Sequence, residues 1–263
     1  MRVLALSPHL DDAVFSCGAT LARLAERGAR VTLVTAFTRS VPDPRGFALA
    51  CQTDKGLHPD ADYMALRRAE DRTAANVLGV AEVIHLDLPE APHRGYNSPA
   101  ELFGSPREDD RIDRAVGARL VQLGQPELVL VPRGLGSHVD HLRLIDAIPE
   151  RWTRLTVLYR DTPYALRSGA TADAADRSAP IAAQLDRKLD ACAAYTTQLG
   201  FQFGGETAMR RALWEFADSE GRRLSAGGPA EALAVPQSGS VCARSEDQPP
   251  SGGILDRFLR RLS

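Results

Sequence analysis

Residues 3–35 read VLALSPHLDDAVFSCGATLARLAERGARVTLVT, and the fold class can be inferred from this segment. Its apolar runs at 3–7 and 31–35 are short and rich in branched side chains, which predicts two buried strands. Between them, residues 16–27 carry apolar side chains at helical spacing, and Gly28 can end that helix. A strand, a helix and a second strand in this order predict a βαβ unit with parallel strands.

The same alternation continues along the chain. Further helices are predicted at 64–78, 111–123, 142–150, 183–198 and 207–220, and further strands at 83–86, 128–131 and 155–159. Alternating strands and helices are typical of layered α/β domains whose sheet is mostly parallel. We therefore expect the α/β fold class, with a mostly parallel sheet of at least five strands flanked by helices.

The C-terminal part of the chain has a different composition. Residues 225–253 are rich in Gly, Pro, Ser and Ala, which predicts a flexible linker or tail after a domain spanning 1–224. Residues 254–263 form an amphipathic pattern, and this short helix can dock on the domain or bind a partner or membrane surface. Two long loops, 38–63 and 89–110, follow predicted strands and should form the rim of a ligand site.

Composition excludes several classes of protein. The chain of 263 residues is 25% charged and has a net charge of −2, so nucleic acid is not an expected partner. No apolar run approaches the roughly 20 residues of a transmembrane span, and the N-terminus lacks the pattern of a signal peptide. Four cysteines, far apart in sequence, predict reduced thiols and a cytoplasmic location. The sequence does not indicate an oligomeric state.

Histidine and aspartate residues follow two of the predicted strands. His9, Asp11 and Asp12 come directly after the first strand, where a dinucleotide-binding turn would instead carry closely spaced glycines. His138 and His141 follow the strand at 128–131. The carboxyl ends of neighbouring parallel strands share one edge of a sheet, so we expect both clusters to meet in one crevice if these strands are adjacent.

The residue types in these clusters suit a catalytic metal. His9, Asp12 and His141 make a three-ligand set for one zinc ion with an open fourth position, and Fe²⁺ is a possible alternative. Bound zinc lowers the pKa of a water molecule, and Asp11 can then act as the general base that takes its proton. His138, kept protonated by nearby carboxylates, can stabilise the oxyanion that forms.

Other residues near the clusters have less specific signals. Asp140 is expected to orient His138 or His141 from behind the metal ligands. Arg160 follows the strand at 155–159 and can hold an anionic group of the substrate, or it can simply be a solvated strand end. Each cluster alone also has a structural explanation, because an aspartate such as Asp11 can cap the following helix.

Taken together, the motifs resemble the LmbE-like, or PIG-L, zinc deacetylases. Ser7-Pro8-His9-Leu10-Asp11-Asp12 is similar to the family's Ala-His-Pro-Asp-Asp signature, with Leu10 in place of the proline. His138-Val139-Asp140-His141 matches the second signature, His-x-Asp-His. Supporting similarities are Arg67 to Glu70 with Leu78-Gly79-Val80, Asp87-Leu88-Pro89-Glu90, and Lys188 with Tyr195 and Gln198.

This resemblance implies a Rossmann-like fold and removal of the N-acetyl group from an N-acetylglucosamine-type conjugate, a small-molecule partner. It also implies that Arg67 and Glu90 contact the substrate, and it supports the roles given above to Asp11 and His138. Two alternatives stay open: a metal-dependent hydrolase of another class, such as a phosphoesterase or peptidase, and a metal-binding module without catalysis. The particular N-acetylated substrate is not indicated.

Overall fold

A computed structural model describes residues 1–167, 173, 175–236 and 259. Seven strands form one sheet: β1 (Arg2–Ser7), β2 (Arg30–Phe37), β3 (Glu82–Leu88), β4 (Leu128–Pro132), β5 (Thr156–Tyr159), β6 (Arg177–Pro180) and β7 (Ala230–Ala234). The helices are α1 (Asp12–Glu26), α2 (Gly46–Thr53), α3 (Tyr63–Leu78), α4 (Pro99–Leu102), α5 (Ile112–Gln122), α6 (Val139–Asp146), α7 (Tyr164–Arg167), α8 (Leu185–Ala193), α9 (Thr196–Phe203) and α10 (Glu206–Arg223). The predicted α/β class with a mostly parallel sheet is confirmed.

The strand order is β3-β2-β1-β4-β5-β7-β6, and the first five of these strands are parallel. Strand β1 pairs on one side with β2 and on the other with β4, so that Val3 lies opposite both Val31 and Leu128. The chain builds outward from β1 in one direction and then returns to build in the other. The crevice between β1 and β4 is therefore the switch point of the sheet, where open α/β folds bind ligands.

Both faces of the sheet are covered, which explains why the strands read as continuous apolar runs. Val3 and Ala5 of β1 join a core that includes residues of α1, α3 and α8. Leu4 and Leu6 point to the opposite face and pack with residues of α5 and α6. Successive residues of a strand alternate between faces, so a strand with two covered faces has no polar side.

Helix α1 is interrupted at Cys17, whose backbone angles are not helical (φ −133°, ψ 24°). The carboxylate of Glu231 on β7 accepts hydrogen bonds from the amides of Ala19 (3.2 Å) and Thr20 (2.8 Å), just beyond the break. The ammonium of Lys188 lies 2.7 Å from the same carboxylate, and both side chains are buried. A buried ion pair therefore satisfies the amides that the break exposes.

The predicted domain boundary after residue 224 is wrong, because β7 lies inside the predicted linker 225–253. This strand pairs antiparallel with both β5 and β6, and all five of its residues are buried. Its sequence, Ala-Glu-Ala-Leu-Ala, lacks the β-branched residues that usually mark a strand. Residues 237–253 lie outside the described residues, as does the predicted terminal helix except Leu259, which packs against the core.

Three helix predictions also needed correction. The predicted helix 16–27 begins earlier, at Asp12, and the predicted helix 142–150 begins earlier, at Val139. The predicted helix 183–198 is divided into α8 and α9. Among the residues described, none of the helices is both long and apolar enough to cross a membrane. Cys17, Cys51 and Cys192 carry free thiols, and Cys242 lies outside the described residues.

Candidate metal and catalytic site

The two histidine clusters meet at the carboxyl ends of β1 and β4, as the sequence predicted for adjacent strands. The ring centroid of His9 lies 4.9 Å from that of His138 and 5.4 Å from that of His141. All three side chains are almost completely buried. The crevice at the switch point therefore brings together residues that are about 130 positions apart in sequence.

The turn after β1 is held by the hydroxyl of Ser7. Its Oγ donates to the carbonyl oxygen of His9 (2.6 Å) and accepts from the amide of Ala13 (3.0 Å), which fixes the loop around His9 and Asp12. Asp11 stands at the N-cap position of α1, but its side chain makes no capping hydrogen bond. The Asp11 carboxylate therefore does not serve as a helix cap.

His9, Asp12 and His141 form a compact set of possible metal ligands. One oxygen of Asp12 lies 3.1 Å from Nδ1 of His9 and 3.2 Å from Nε2 of His141. The buried Nε2 of His141 makes no hydrogen bond to any described residue. Two imidazole nitrogens and a carboxylate oxygen within 4.8 Å of one another suit a divalent metal with an open coordination position.

A carboxylate lies on the far side of each histidine in this set. Oδ1 of Asp161 is 2.6 Å from Nδ1 of His141, and Oδ2 of Asp140 is 3.0 Å from Nε2 of His9. Such carboxylates fix the ring orientation of metal-binding histidines and raise their basicity. The carboxylate of Asp140 thus contacts His9, whereas the sequence predicted His138 or His141 as its partner.

The carboxylates around His141 favour a positive charge at this position. Burial lowers the pKa of His141, but the carboxylates of Asp12 and Asp161 outweigh burial and raise the pKa to about 9. The same balance raises the pKa of His9 well above its usual range, through Asp12 and Asp140. The carboxylates therefore stabilise positive charge between these rings, which a proton or a metal ion can supply.

A second group of possible ligands, His9, His138 and Asp140, is less suitable. The oxygens of Asp140 already accept hydrogen bonds from Nη1 of Arg94 (2.7 Å) and from the amide of Ala91 (3.0 Å). Nδ1 of His138 accepts the amide of Asp140 at 3.2 Å. Because these atoms are engaged, the geometry favours His9, Asp12 and His141 as the metal set.

Asp11 lies beside the metal set with its own hydrogen-bond donors. Its Oδ2 accepts from Nε2 of Gln202 (2.9 Å), and its Oδ1 lies 3.5 Å from Nη2 of Arg67. Burial raises the pKa of Asp11 to about 6, although Arg67 opposes this effect. A carboxyl group with this pKa can both take up and release a proton near neutral pH.

The surroundings of His138 oppose the expectation that nearby carboxylates keep its ring protonated. Burial lowers the pKa of His138 to about 3, and the nearby His9 acts in the same direction. Because Nδ1 accepts the amide of Asp140, the proton of the neutral ring resides on Nε2. His138 can therefore still donate a hydrogen bond, but as a neutral imidazole.

A cavity of about 360 Å³ opens above these residues, and two of the three predicted substrate-contacting residues line it. Arg67 donates from Nη1 to Oε1 of Glu90 at 2.7 Å. Arg160, the third, does not line the cavity. Its guanidinium is buried and donates to Oε1 of Glu220 at 2.9 Å, so β5 directs it toward α10.

Sequence reasoning missed Asp161, Arg94 and Gln202. Asp161 follows β5 at the same sheet edge as the histidine clusters, so the position of the strand end could have indicated it. Arg94 lies in the loop 89–110 and Gln202 on α9, and no local pattern in the sequence distinguishes either residue.

Comparison with known proteins identifies similar chains. The family described as PIG-L: GlcNAc-PI de-N-acetylase matches residues 4–151. A 2'-N-acetylparomamine deacetylase from Streptomyces fradiae is 36% identical over 171 residues, covering 62% of this chain and 58% of that protein. A 1D-myo-inositol 2-acetamido-2-deoxy-alpha-D-glucopyranoside deacetylase from Kineococcus radiotolerans is 30% identical over 164 residues, covering 56% and 43%. The match thus spans about half the length of these curated relatives.

Solved structures match a larger share of this chain than the curated relatives do. The zinc-inhibited form of a teicoplanin deacetylase superposes with a TM-score of 0.71 at 28% identity, covering 89% of this chain and 97% of that one. The structural similarity therefore extends over a larger part of the chain than the family match to residues 4–151 does.

Proposed function

Because the chain belongs to the PIG-L (GlcNAc-PI de-N-acetylase) family, we propose that it is a metal-dependent hydrolase that removes the acetyl group from an N-acetylated amino sugar. The relatives named above are deacetylases of acetylated amino sugars, which supports this reaction class. One observation carries the proposal: Asp11 and His138 both adjoin the possible metal set of His9, Asp12 and His141.

The metal in this proposal is one zinc ion per chain, held by His9, Asp12 and His141. When bound, zinc would lower the pKa of a water molecule and polarise the acetyl carbonyl. The zinc-inhibited relative supports binding of this metal by the fold. Fe²⁺ is the alternative, since imidazole and carboxylate ligands suit both ions.

Asp11 is the proposed general base and, later, the general acid. Its carboxylate would accept a proton from the attacking water and then deliver that proton to the amine that leaves. Gln202 and Arg67 hold the two oxygens of Asp11 in place, so the carboxylate faces the cavity in a fixed orientation. A fixed base avoids the entropy cost of positioning the group during the reaction.

His138 is the proposed donor to the oxyanion that forms from the acetyl carbonyl. The amide of Asp140 occupies Nδ1, which leaves the Nε2–H free for this role. A neutral donor fixed in a buried site stabilises developing negative charge without reorganising when the charge appears. Asp140 and Asp161 act as positioning residues through His9 and His141.

Arg67 and Glu90 are the proposed contacts to the sugar. Their ion pair is buried at the wall of the cavity, and Glu90 retains acceptor capacity for sugar hydroxyls. We also propose a cytoplasmic location, which three free thiols support.

Metal content and turnover together test the proposal. Zinc close to one per chain is expected, and His141→Ala should lose it, whereas His58→Ala, a change at an exposed histidine, should retain it. Asp11→Asn should keep the metal but lower kcat by about 10²- to 10⁴-fold. Zinc retained in His141→Ala would contradict the ligand set, and full activity of Asp11→Asn would contradict its role.

The substrate class is tested with a panel scored by released amine for the amides and by released 4-nitrophenolate for the phosphate ester. N-acetylparomamine, the acetylated glucosaminyl inositol and diacetylchitobiose would be compared with 4-nitrophenyl phosphate and an acetylated dipeptide. Amine release from the sugars alone is expected. Turnover of the phosphate ester or of the peptide bond in place of the sugars would favour the other hydrolase classes, and turnover of nothing would favour a binding module.

A further inference from the structure

The catalytic cavity is lined by two cationic side chains that lack an acidic partner. Lys55 follows α2, and its ammonium donates to the carbonyl oxygen of Cys51. Arg167 ends α7 and donates from Nη2 to the carbonyl oxygen of Gln202 at 3.0 Å. Within the described parts of the chain, no carboxylate oxygen lies within 4.0 Å of the nitrogens of either side chain.

Most carboxylates of the same cavity are engaged elsewhere. Glu90 pairs with Arg67, and Asp11 lies between Arg67 and Gln202. Asp12 and Asp140 face the histidines of the metal set. Asp54 is the exception, but it is exposed and makes no ion pair with Lys55. The charges of Lys55 and Arg167 therefore remain available to a ligand.

Lys55 is unusual because the chain has only two lysines among its 32 basic residues. The other, Lys188, has a buried carboxylate partner in Glu231. The ammonium of Lys55 instead lies 4.9 Å from the ring centroid of Phe201 and 5.3 Å from that of Tyr63. Burial lowers the pKa of Lys55, and a charge in such surroundings attracts an anion more strongly than a charge in open water does.

The two cations lie against consecutive residues of α9. Lys55 contacts the ring of Phe201, and Arg167 contacts the backbone of Gln202, whose side chain donates to Asp11. The positive charges are thus adjacent to the proposed catalytic centre rather than remote from it. Phe103 and Phe201 also line the cavity and are 45% and 59% exposed, so an apolar group could lie beside the cations.

We propose that Lys55 and Arg167 bind a negatively charged group, a carboxylate or a phosphate, on the aglycone of the acetylated amino sugar. That the ligand is an acetylated amino sugar rests on the proposed function. Because both donors are charged, we expect at least a tenfold preference for the anionic ligand, which corresponds to about 1.4 kcal/mol. The two residues thus determine specificity and take no part in bond cleavage.

A pair of glycosides that differ only in charge tests the proposal. The probes are the 4-carboxyphenyl and 4-carbamoylphenyl glycosides of N-acetylglucosamine, compared by kcat/KM for amine release and by Kd from calorimetry. The carboxylate should be preferred at least tenfold in both measurements. Lys55→Met should reduce this preference to about one to threefold, Arg167→Gln should reduce it partly, and Lys55→Arg should retain much of it.

Arg72→Gln, at an exposed arginine of α3 outside the cavity, is the matched control and should leave the preference unchanged. Equal kcat/KM and Kd for the two probes in the unchanged chain would overturn the inference while leaving the proposed function intact. Preferential binding of the carboxylate without amine release would support the anion site and count against the deacetylase. If Lys55→Met does not fold, Arg167→Gln and Lys55→Arg still decide the outcome.

Discussion

Asp161 makes three hydrogen bonds that determine how His141 faces the proposed metal position. Its Oδ1 is hydrogen-bonded to Nδ1 of His141. Its Oδ2 accepts hydrogen bonds from the backbone amides of Arg133 (2.9 Å) and Leu135 (3.1 Å). The carboxylate therefore ties the loop after β4 to the end of β5. This one residue fixes both the ring orientation and the backbone that carries the ring.

We expect Asp161→Asn to weaken zinc binding by about 10- to 100-fold, because an amide cannot accept all three hydrogen bonds. Competition with a chromophoric chelator measures the affinity. Asp146→Asn, at an exposed aspartate near the end of α6, should bind zinc as the unchanged chain does. An unaltered affinity in Asp161→Asn would show that His141 is oriented by other contacts.

At the scale of single elements, the break in α1 depends on a residue from the far end of the described sequence. Glu231 lies 212 positions beyond Ala19, yet its carboxylate accepts hydrogen bonds from the backbone amides that follow Cys17. Asp11 and Asp12 begin the same helix, so its first turns must be placed accurately. The ion pair with Lys188 is part of what holds them there.

Glu231→Ala should lower the free energy of unfolding by about 3–5 kcal/mol, because Lys188 would remain buried without a partner. Urea denaturation followed by circular dichroism measures the change. In the double variant Lys188→Met with Glu231→Leu, the loss should be smaller than the sum of the two single losses. Additive losses would mean that the pair is not coupled in the folded chain.

In the molecule as a whole, strand β7 determines how the sheet ends. Strand β7 connects the parallel part of the sheet to β6 and covers β5. Without it, β5 would expose an unpaired edge and Lys188 would lose its carboxylate. The strand is therefore an integral part of the domain rather than the start of a tail.

A chain that ends at residue 228 should fail to unfold cooperatively, because it lacks β7. A chain that ends at residue 236 retains the strand and should unfold in one cooperative transition. Thermal melting of the two truncated proteins, prepared identically, checks the difference. Cooperative melting of the shorter protein would place β7 outside the folding unit.

The sequence predicts the parallel core well and its C-terminal end poorly. Residues Val3 to Leu6 of β1 form a continuous apolar run because both faces of the strand are covered, and such runs are recognised directly in the sequence. Strand β7 is mostly alanine, and only its partners in the fold make it a strand. The histidine clusters carry short motifs, whereas Gln202 reaches Asp11 only through the packing of α9, which local sequence does not encode.

The adjacency of β1 and β4 has a consequence for the order of events during biosynthesis. His9 emerges from the ribosome early, but His141 follows only after most of the parallel sheet has been made. Contacts between such distant positions form slowly, because a long loop must close first. The nascent chain therefore cannot hold the proposed metal through both His9 and His141 until β4 has joined β1. Metal capture should coincide with completion of the central sheet, so the ion would stabilise the assembled fold rather than guide its first steps.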